Sequence, residues 1–174
     1  MYTGERVRLR AFESGDLEAN WGFVNDYETV RGMASGMLFP CSRGDEARWL
    51  DQQSSYTRGE YQFAIEALDS GELIGRCGTL KVDWKNRWAE LGIMIGRAAN
   101  RGRGYGSDAM KLLCRFCFEE MNLHRLKLSV LDFNQQAIRC YEKCGFVREG
   151  VLKSEVFREG AYHDVVVMGK VADG

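Results

Sequence analysis

Two hydrophobic periods organise this chain. Val7, Leu9 and Ala11 alternate with Arg8 and Arg10, a period of two that predicts a half-buried strand. The same signal marks Tyr61 to Ala67, Leu73 to Val82 after the turn Asp69-Ser70-Gly71, and Trp88 to Ile95 after Lys85-Asn86-Arg87. These three runs predict an antiparallel meander. Leu126, Leu128 and Val130 alternate with Arg125, Lys127 and Ser129, and Val147 to Phe157 and Ala161 to Gly169 close a hairpin around Arg158-Glu159-Gly160. A helical period governs the rest. From Asp108 to Met121, Ala109, Leu112, Leu113 and Phe116 form one face, and Asp108, Lys111, Arg115 and Glu119 the other. Asn134 caps a helix that Gly145 stops after Cys144, and a further helix lies near Asp16 to Val24, with a short helical segment towards Met33. Ser42-x-x-Asp45 resembles a capping box opening a helix through Tyr56. The predicted order is β-α-α-β-β-β-α-β-α-β-β, an α/β (α+β) chain with a mixed sheet.

The segment Arg101-Gly102-Arg103-Gly104-Tyr105-Gly106 separates the strand ending at Ile95 from the Asp108 helix. Strand, basic glycine loop and helix in that order make an anion site: the helix N-terminus presents unpaired N–H groups, and glycines let the backbone approach a bulky phosphate. A pyrophosphate-bearing cofactor is the expected guest. Gly104-x-Gly106-x-x-Ala109 also matches a dinucleotide fingerprint, with Asp132 after the next strand. The spacing argues against that reading, because Gly96 to Arg103 intervene between strand and motif and no run of alternating strands and helices follows.

The sequence has 174 residues, 45% of them hydrophobic, with a formal net charge of −1 and one proline, Pro40, which fits a single domain spanning 1–174. Near neutrality argues against a broad nucleic-acid surface. No apolar run reaches the length of a membrane span, and the first residues lack the pattern of a secretory signal, so a cytoplasmic protein is expected. Six cysteines are too few for a disulfide scaffold in a chain this long. Cys114 and Cys117, with Cys140 and Cys144, have helical spacings that raise a four-thiolate zinc site; the plainer reading, which we adopt, is small buried hydrophobes and no metal.

The glycine loop resembles the Gln/Arg-x-x-Gly-x-Gly/Ala motif of the GNAT superfamily of acetyl-CoA-dependent N-acetyltransferases. Ala89 to Ile95 resembles the strand before that motif. Asn134-x-x-Ala137-Ile138-x-x-Tyr141-Glu142-Lys143-x-Gly145-Phe146 is similar to the family's Asn-x-x-Ala/Ser-x-x-x-Tyr-x-Lys-x-Gly-Phe segment. With Glu159 to Asp164, the pattern resembles the subgroup of ribosomal-protein and polyamine N-acetyltransferases. The resemblance is specific over Trp88 to Met168 and weaker over residues 1–60. It implies a GNAT-like fold, acetyl-CoA as cosubstrate and transfer to a primary amine of a peptide N-terminus, a polyamine or another small molecule. Homodimerisation is a further family-level expectation.

The resemblance assigns cofactor binding to Ile93, Met94 and Ile95, to Arg101 through Ser107 (with Gly102, Arg103, Gly104, Tyr105 and Gly106), and to Asn134, Ala137 and Tyr141. Backbone amides near Ile93 to Ile95 would hold pantetheine and polarise the acetyl carbonyl, with Gly92 permitting a bulge that parts this strand from the next. Tyr141 would protonate the departing thiolate. Glu90, an acid in an otherwise apolar strand, is the candidate base for the amine, with a water relay or a plain ion pair as alternatives. Cys140 and Cys144 have no basic neighbour other than Lys143 to mark an activated thiol, and His124 and His163 read as loop or strand-end residues. Residues 1–60 contain no lysine, and their ten carboxylates outnumber seven arginines, which favours a cationic acceptor. A Met33 to Met37 loop is placed to shape that pocket. The readings carried beside catalysis are an acetyl-CoA-binding module and a nucleotide-binding oxidoreductase.

Overall fold

The computed structural model describes residues 2–34, 36–53 and 60–172. In chain order its strands are β1 (Tyr2–Thr3), β2 (Val7–Arg10), β3 (Gln62–Ala67), β4 (Leu73–Asp83), β5 (Trp88–Ile95), β6 (Arg125–Leu131), β7 (Val147–Arg158) and β8 (Ala161–Val171). The helices are α1 (Leu17–Asn25), α2 (Tyr27–Val30), α3 (Arg43–Gln53), α4 (Tyr105–Arg115) and α5 (Gln135–Lys143). All eight strands form one sheet in the order β1-β2-β3-β4-β5-β6-β8-β7, and β5 with β6 is the parallel pair in an otherwise antiparallel array.

The predicted mixed sheet therefore forms, with an added two-residue strand at the N-terminus, and the three helical segments read before β3 are all present, one more than the predicted element order counts. The predicted extension of α3 to Tyr56 falls on residues 54–59 and lies outside the described residues. Helix α4 begins at Tyr105, three residues ahead of the amphipathic pattern, because Gly104 adopts φ +84° and caps it. After Arg115 the chain continues as a π-helical turn over Phe116–Glu120. Phe116 there packs edge-on against Tyr2, Tyr61 and Phe63, with ring centroids 5.1–5.5 Å apart.

Alternation along β5 sends its side chains to two cores. Leu91, Ile93 and Ile95 join α4 and α5 in the main core, whose fully buried members include Leu113, Leu126 and Ile138. Met94 points to the opposite face and packs with Phe23 and Val30 of α1 and α2. Glu90 shares that second face, since it lies an even number of residues from Met94.

The pairing of β5 with β6 stops early. Trp88, Ala89 and Glu90 pair with Arg125, Leu126 and Lys127, and no later residue of β5 pairs with β6. A bulge accompanies the split, but on β4 rather than at Gly92. Thr79 faces Leu91 and Lys81 faces Glu90, leaving Leu80 as the extra residue, while Gly92 sits in regular register against Gly78. Beyond Thr79 the pairing of β4 with β3 has ended, so β4 is the strand free to take up the kink.

Gly96, at the end of β5, is buried, and a Cβ there would overlap the Phe23 ring of α1. Gly96→Ala should cost about 1–3 kcal/mol by urea unfolding, the usual penalty for overpacking. Gly15→Ala, where a Cβ meets nothing within 4 Å, should stay within about 0.5 kcal/mol.

Candidate active site

The split between β5 and β6 opens a cleft of about 1390 Å³, walled by β5, the loop before α4, α5 and the β7–β8 turn. Its chemistry begins with the β5 backbone. Gly96 N–H donates to Ile74 O at 2.8 Å, which makes Gly96 and Ile74 a hydrogen-bonded pair. Two residues on, Met94 with Arg76 and then Gly92 with Gly78 are the bonded pairs, because such pairs alternate in an antiparallel ladder. Ile93 and Ile95 therefore turn their N–H and C=O groups the other way, toward the gap that β6 has left. Of the three residues expected to offer amides, Ile93 and Ile95 do so. Met94 does not: its backbone is spent on Arg76 and its side chain lies in the second core.

The glycine loop follows the expectation in its backbone and departs from it in two side chains. Gly102 and Gly104 both have positive φ, +75° and +84°, which only glycine adopts without strain. The first helical bond at the start of α4 runs from Asp108 N–H to Gly104 O, so the N–H groups of Tyr105, Gly106 and Ser107 have no partner within the helix. Arg101, Gly102, Gly104, Gly106 and Ser107 line the cleft. Arg101 is held there by a 2.9 Å bond from its guanidinium to Thr29 Oγ1. Arg103 turns away from the cleft: it bonds Asp69 at 3.1 Å and stacks over the Tyr105 ring at 5.0 Å. Tyr105 is buried and donates its hydroxyl to the same Asp69 carboxylate at 2.7 Å. These two side chains tie the loop to Asp69 and are absent from the cleft lining.

On α5, Asn134, Ala137 and Tyr141 line the cleft as one helical face, while Ile138 is fully buried in the core. Asn134 Oδ1 caps the helix by accepting from Ala137 N–H at 3.2 Å, and its amide reaches Gly32 O at 3.4 Å. Asn134 thus shapes the wall, its side-chain oxygen already occupied. Tyr141 is buried, with the Phe146 ring edge-on at 6.2 Å. Burial, reinforced by Cys140 and Cys144, pushes its phenol well above the usual tyrosine range, so it keeps its proton at neutral pH.

Glu90 is half-buried and lines the cleft. Its neighbours on the flanking strands are Lys81 and Lys127, but both place their ammonium groups over the Trp88 ring, 5.7 and 3.4 Å from its centroid. No ion pair to Glu90 forms among the described residues, which leaves the carboxylate open to the cavity. Glu28, Glu60, Glu155 and Glu159 line the same cleft. The facing cations Arg31 and Arg76 are already paired, Arg31 with Glu28 and Glu159 and Arg76 with buried Glu46 at 3.2 Å while stacked on Trp49 at 4.2 Å. The sequence reading looked for acidity in residues 1–60 and missed Glu155 and Glu159, which the hairpin brings across from the far end of the chain. His163 reaches the wall too, edge-on to Phe133 at 4.9 Å, whereas Ser35 in the Met33 to Met37 loop lies outside the described residues.

Cys114 and Cys117 pack in the main core, and burial raises both thiols, Cys114 to about 11. Among the described residues no group of three or more cysteine, histidine or acidic side chains is placed to hold a metal, and no helix is long and apolar enough to cross a membrane.

Residues 6–147 match the family model for the acetyltransferase (GNAT) domain. The chain is 31% identical to the spermidine N(1)-acetyltransferase of Vibrio cholerae over 92% of this chain and 90% of that protein. It is 30% identical to the SPbeta prophage-derived uncharacterized N-acetyltransferase YokL of Bacillus subtilis, covering 97% of this chain and 91% of that one. A crystal structure of spermidine N-acetyltransferase from Vibrio cholerae in complex with CoA and spermine superposes with a TM-score of 0.84 at 27% identity, over 95% of both chains.

The two loop arginines separate experimentally. Arg101→Ala should weaken CoA binding about tenfold or more by calorimetry, the loss of a charge-assisted bond. Arg103→Ala should leave the affinity within about twofold, because its charge is already given to Asp69.

Proposed function

This chain belongs to the GNAT acetyltransferase family, and on that premise we propose that the acceptor of its N-acetyltransferase activity is a cationic polyamine or a similar small primary amine. The carrying observation is the acidic wall. Glu60, Glu90 and Glu155 line the cleft without an ion-pair partner among the described residues, and the cations facing them are committed to other glutamates. A flexible polycation gains from several carboxylates at once, and a site already neutralised by arginine would not select it. The Vibrio cholerae relatives named for spermidine support the same choice.

Bound acetyl-CoA supplies an activated acetyl thioester. The residues present fit it, since unpaired N–H groups at the start of α4 suit a pyrophosphate and those of Ile93 and Ile95 suit pantetheine and the acetyl oxygen. Glu90, directly or through one water, takes the proton that an ammonium must lose before it attacks. Tyr141 holds a proton for the leaving sulfur. Its raised pKa makes it a weak acid, yet one that is never lost to solvent near neutrality. Juxtaposition of amine and thioester supplies much of the acceleration, and no acyl-enzyme is needed. A cytoplasmic site fits a consumer of acetyl-CoA, and no nucleic-acid or membrane partner is proposed. We also propose a homodimer through β7, an edge strand that exposes Val147, Val151, Leu152 and Phe157.

Thiol release from acetyl-CoA should depend on spermidine or spermine, with an N-terminal alanine peptide, an aminoglycoside and an amino sugar as slower acceptors. Tyr141→Phe should lower kcat by about 10²–10⁴ with little change in KM for acetyl-CoA. Preference for the peptide would overturn the polyamine assignment. The rate should rise with pH as the amine deprotonates. Since burial raises Tyr141 above 10.0, loss of its proton should not depress the rate below that pH. A falling limb below pH 9 that vanishes in Tyr141→Phe would contradict its role as the acid.

A further inference from the structure

Cys140 and Cys144 stand one turn apart at the end of α5 and bracket Tyr141. Cys140 is half-buried and lines the cleft, while Cys144 is buried behind it. The Ser107 hydroxyl, in the first turn of α4, lies 3.2 Å from Cys140 Sγ, and Cys144 donates to Ser107 O at 3.5 Å. Both thiols thus contact Ser107, Cys140 through the hydroxyl and Cys144 through the carbonyl. Two helices therefore meet through a cluster of two thiols and a hydroxyl, beside the unpaired N–H groups of the anion site.

We propose that Cys140 is a peroxide-reactive thiol within the cofactor cleft, and that Cys144 resolves it into a disulfide that switches the transferase off. Its contacts set Cys140 apart from the other cysteines. The neighbouring Cys144 thiol, the Ser107 hydroxyl 3.2 Å away and the Lys143 charge outweigh burial and lower this thiol, whereas Cys41, Cys77, Cys114, Cys117 and Cys144 are all raised. Its thiolate attacks one peroxide oxygen, the O–O bond breaks, and hydroxide leaves; the sulfur is oxidised by two electrons to the sulfenic acid. Cys144 sulfur then displaces the sulfenic hydroxyl, its own proton completing a water molecule, and the S–S bond forms.

The consequence for activity rests on the role given to Tyr141; the thiol chemistry does not. Side chains one turn apart hold their Cβ atoms about 5–6 Å apart. A disulfide needs about 3.8 Å, so the last turn of α5 must draw in. Tyr141 lies inside that turn. Cys144 is the helix cap and Gly145 follows with φ +86°, so the chain can yield there.

The test treats the reduced full chain with equimolar hydrogen peroxide, with and without acetyl-CoA, and reads intact mass and peptide maps. Expected are the loss of two hydrogens, a Cys140–Cys144 bridge reversed by dithiothreitol, and slower oxidation when acetyl-CoA is bound. Cys144→Ser should stop at a sulfenic acid on Cys140 that dimedone traps, and Cys140→Ser should form no bridge in α5. Oxidation of Cys41 ahead of Cys140, or bridging to any other cysteine, would overturn the proposal. If the bridge forms and spermidine-dependent thiol release persists unchanged, the switch is refuted. If untreated protein lacks that release, the acceptor reading fails, and the mass data still decide the thiol chemistry.

Discussion

The structure depends on one interrupted pairing. Strands β5 and β6 share three residues of parallel register and then part at Glu90 and Lys127. A parallel pair that stayed zipped would bury the amides of Ile93 and Ile95 in ladder bonds and would leave no room for a guest. Because the two strands part while each keeps its outer neighbour, the sheet remains continuous through the Trp88 end and opens at the other. The Leu80 bulge on β4 and the packing of α4 and α5 over the same face hold that opening in place. The loop of residues 96–104 carries the chain from the end of β5 to the N-terminus of α4, so loop, amides and helix dipole converge on the mouth of the split.

The cleft is lined by both signs of charge. Its cations include Arg101, Arg139 and Lys143, and with the N-terminus of α4 they suit a pyrophosphate. Its glutamates come from α2, β5 and the β7–β8 turn, with Arg31 and Arg76 held in pairs. Glu90 of β5 and Tyr141 of α5 both line this cleft.

Much of this was legible in the sequence. Alternation located the strands of the meander, and the two motif segments located the loop and α5. What failed was side-chain direction. Arg103 and Tyr105 lie in the motif, yet Asp69, 34 and 36 residues away, captures both. Met94 lies in the right strand with the wrong parity, and parity follows from which ladder is bonded, a fact the pattern alone does not carry. Gly92 invited a bulge that the neighbouring strand supplied at Leu80, where β4 has left β3 behind and β5 is still paired with β6 through Glu90. The acidic wall was half visible: Glu28 belongs to the acidic N-terminal third, while Glu155 and Glu159 join it through the tertiary fold.

Amide hydrogen exchange with and without acetyl-CoA tests the central claim most directly. Slower exchange confined to Ile93, Ile95 and the amides of Gly104 to Ser107, with Met94 already protected in the free protein, is the result this account predicts. Protection appearing elsewhere, with those amides unchanged, would contradict the split between β5 and β6 as the cofactor site.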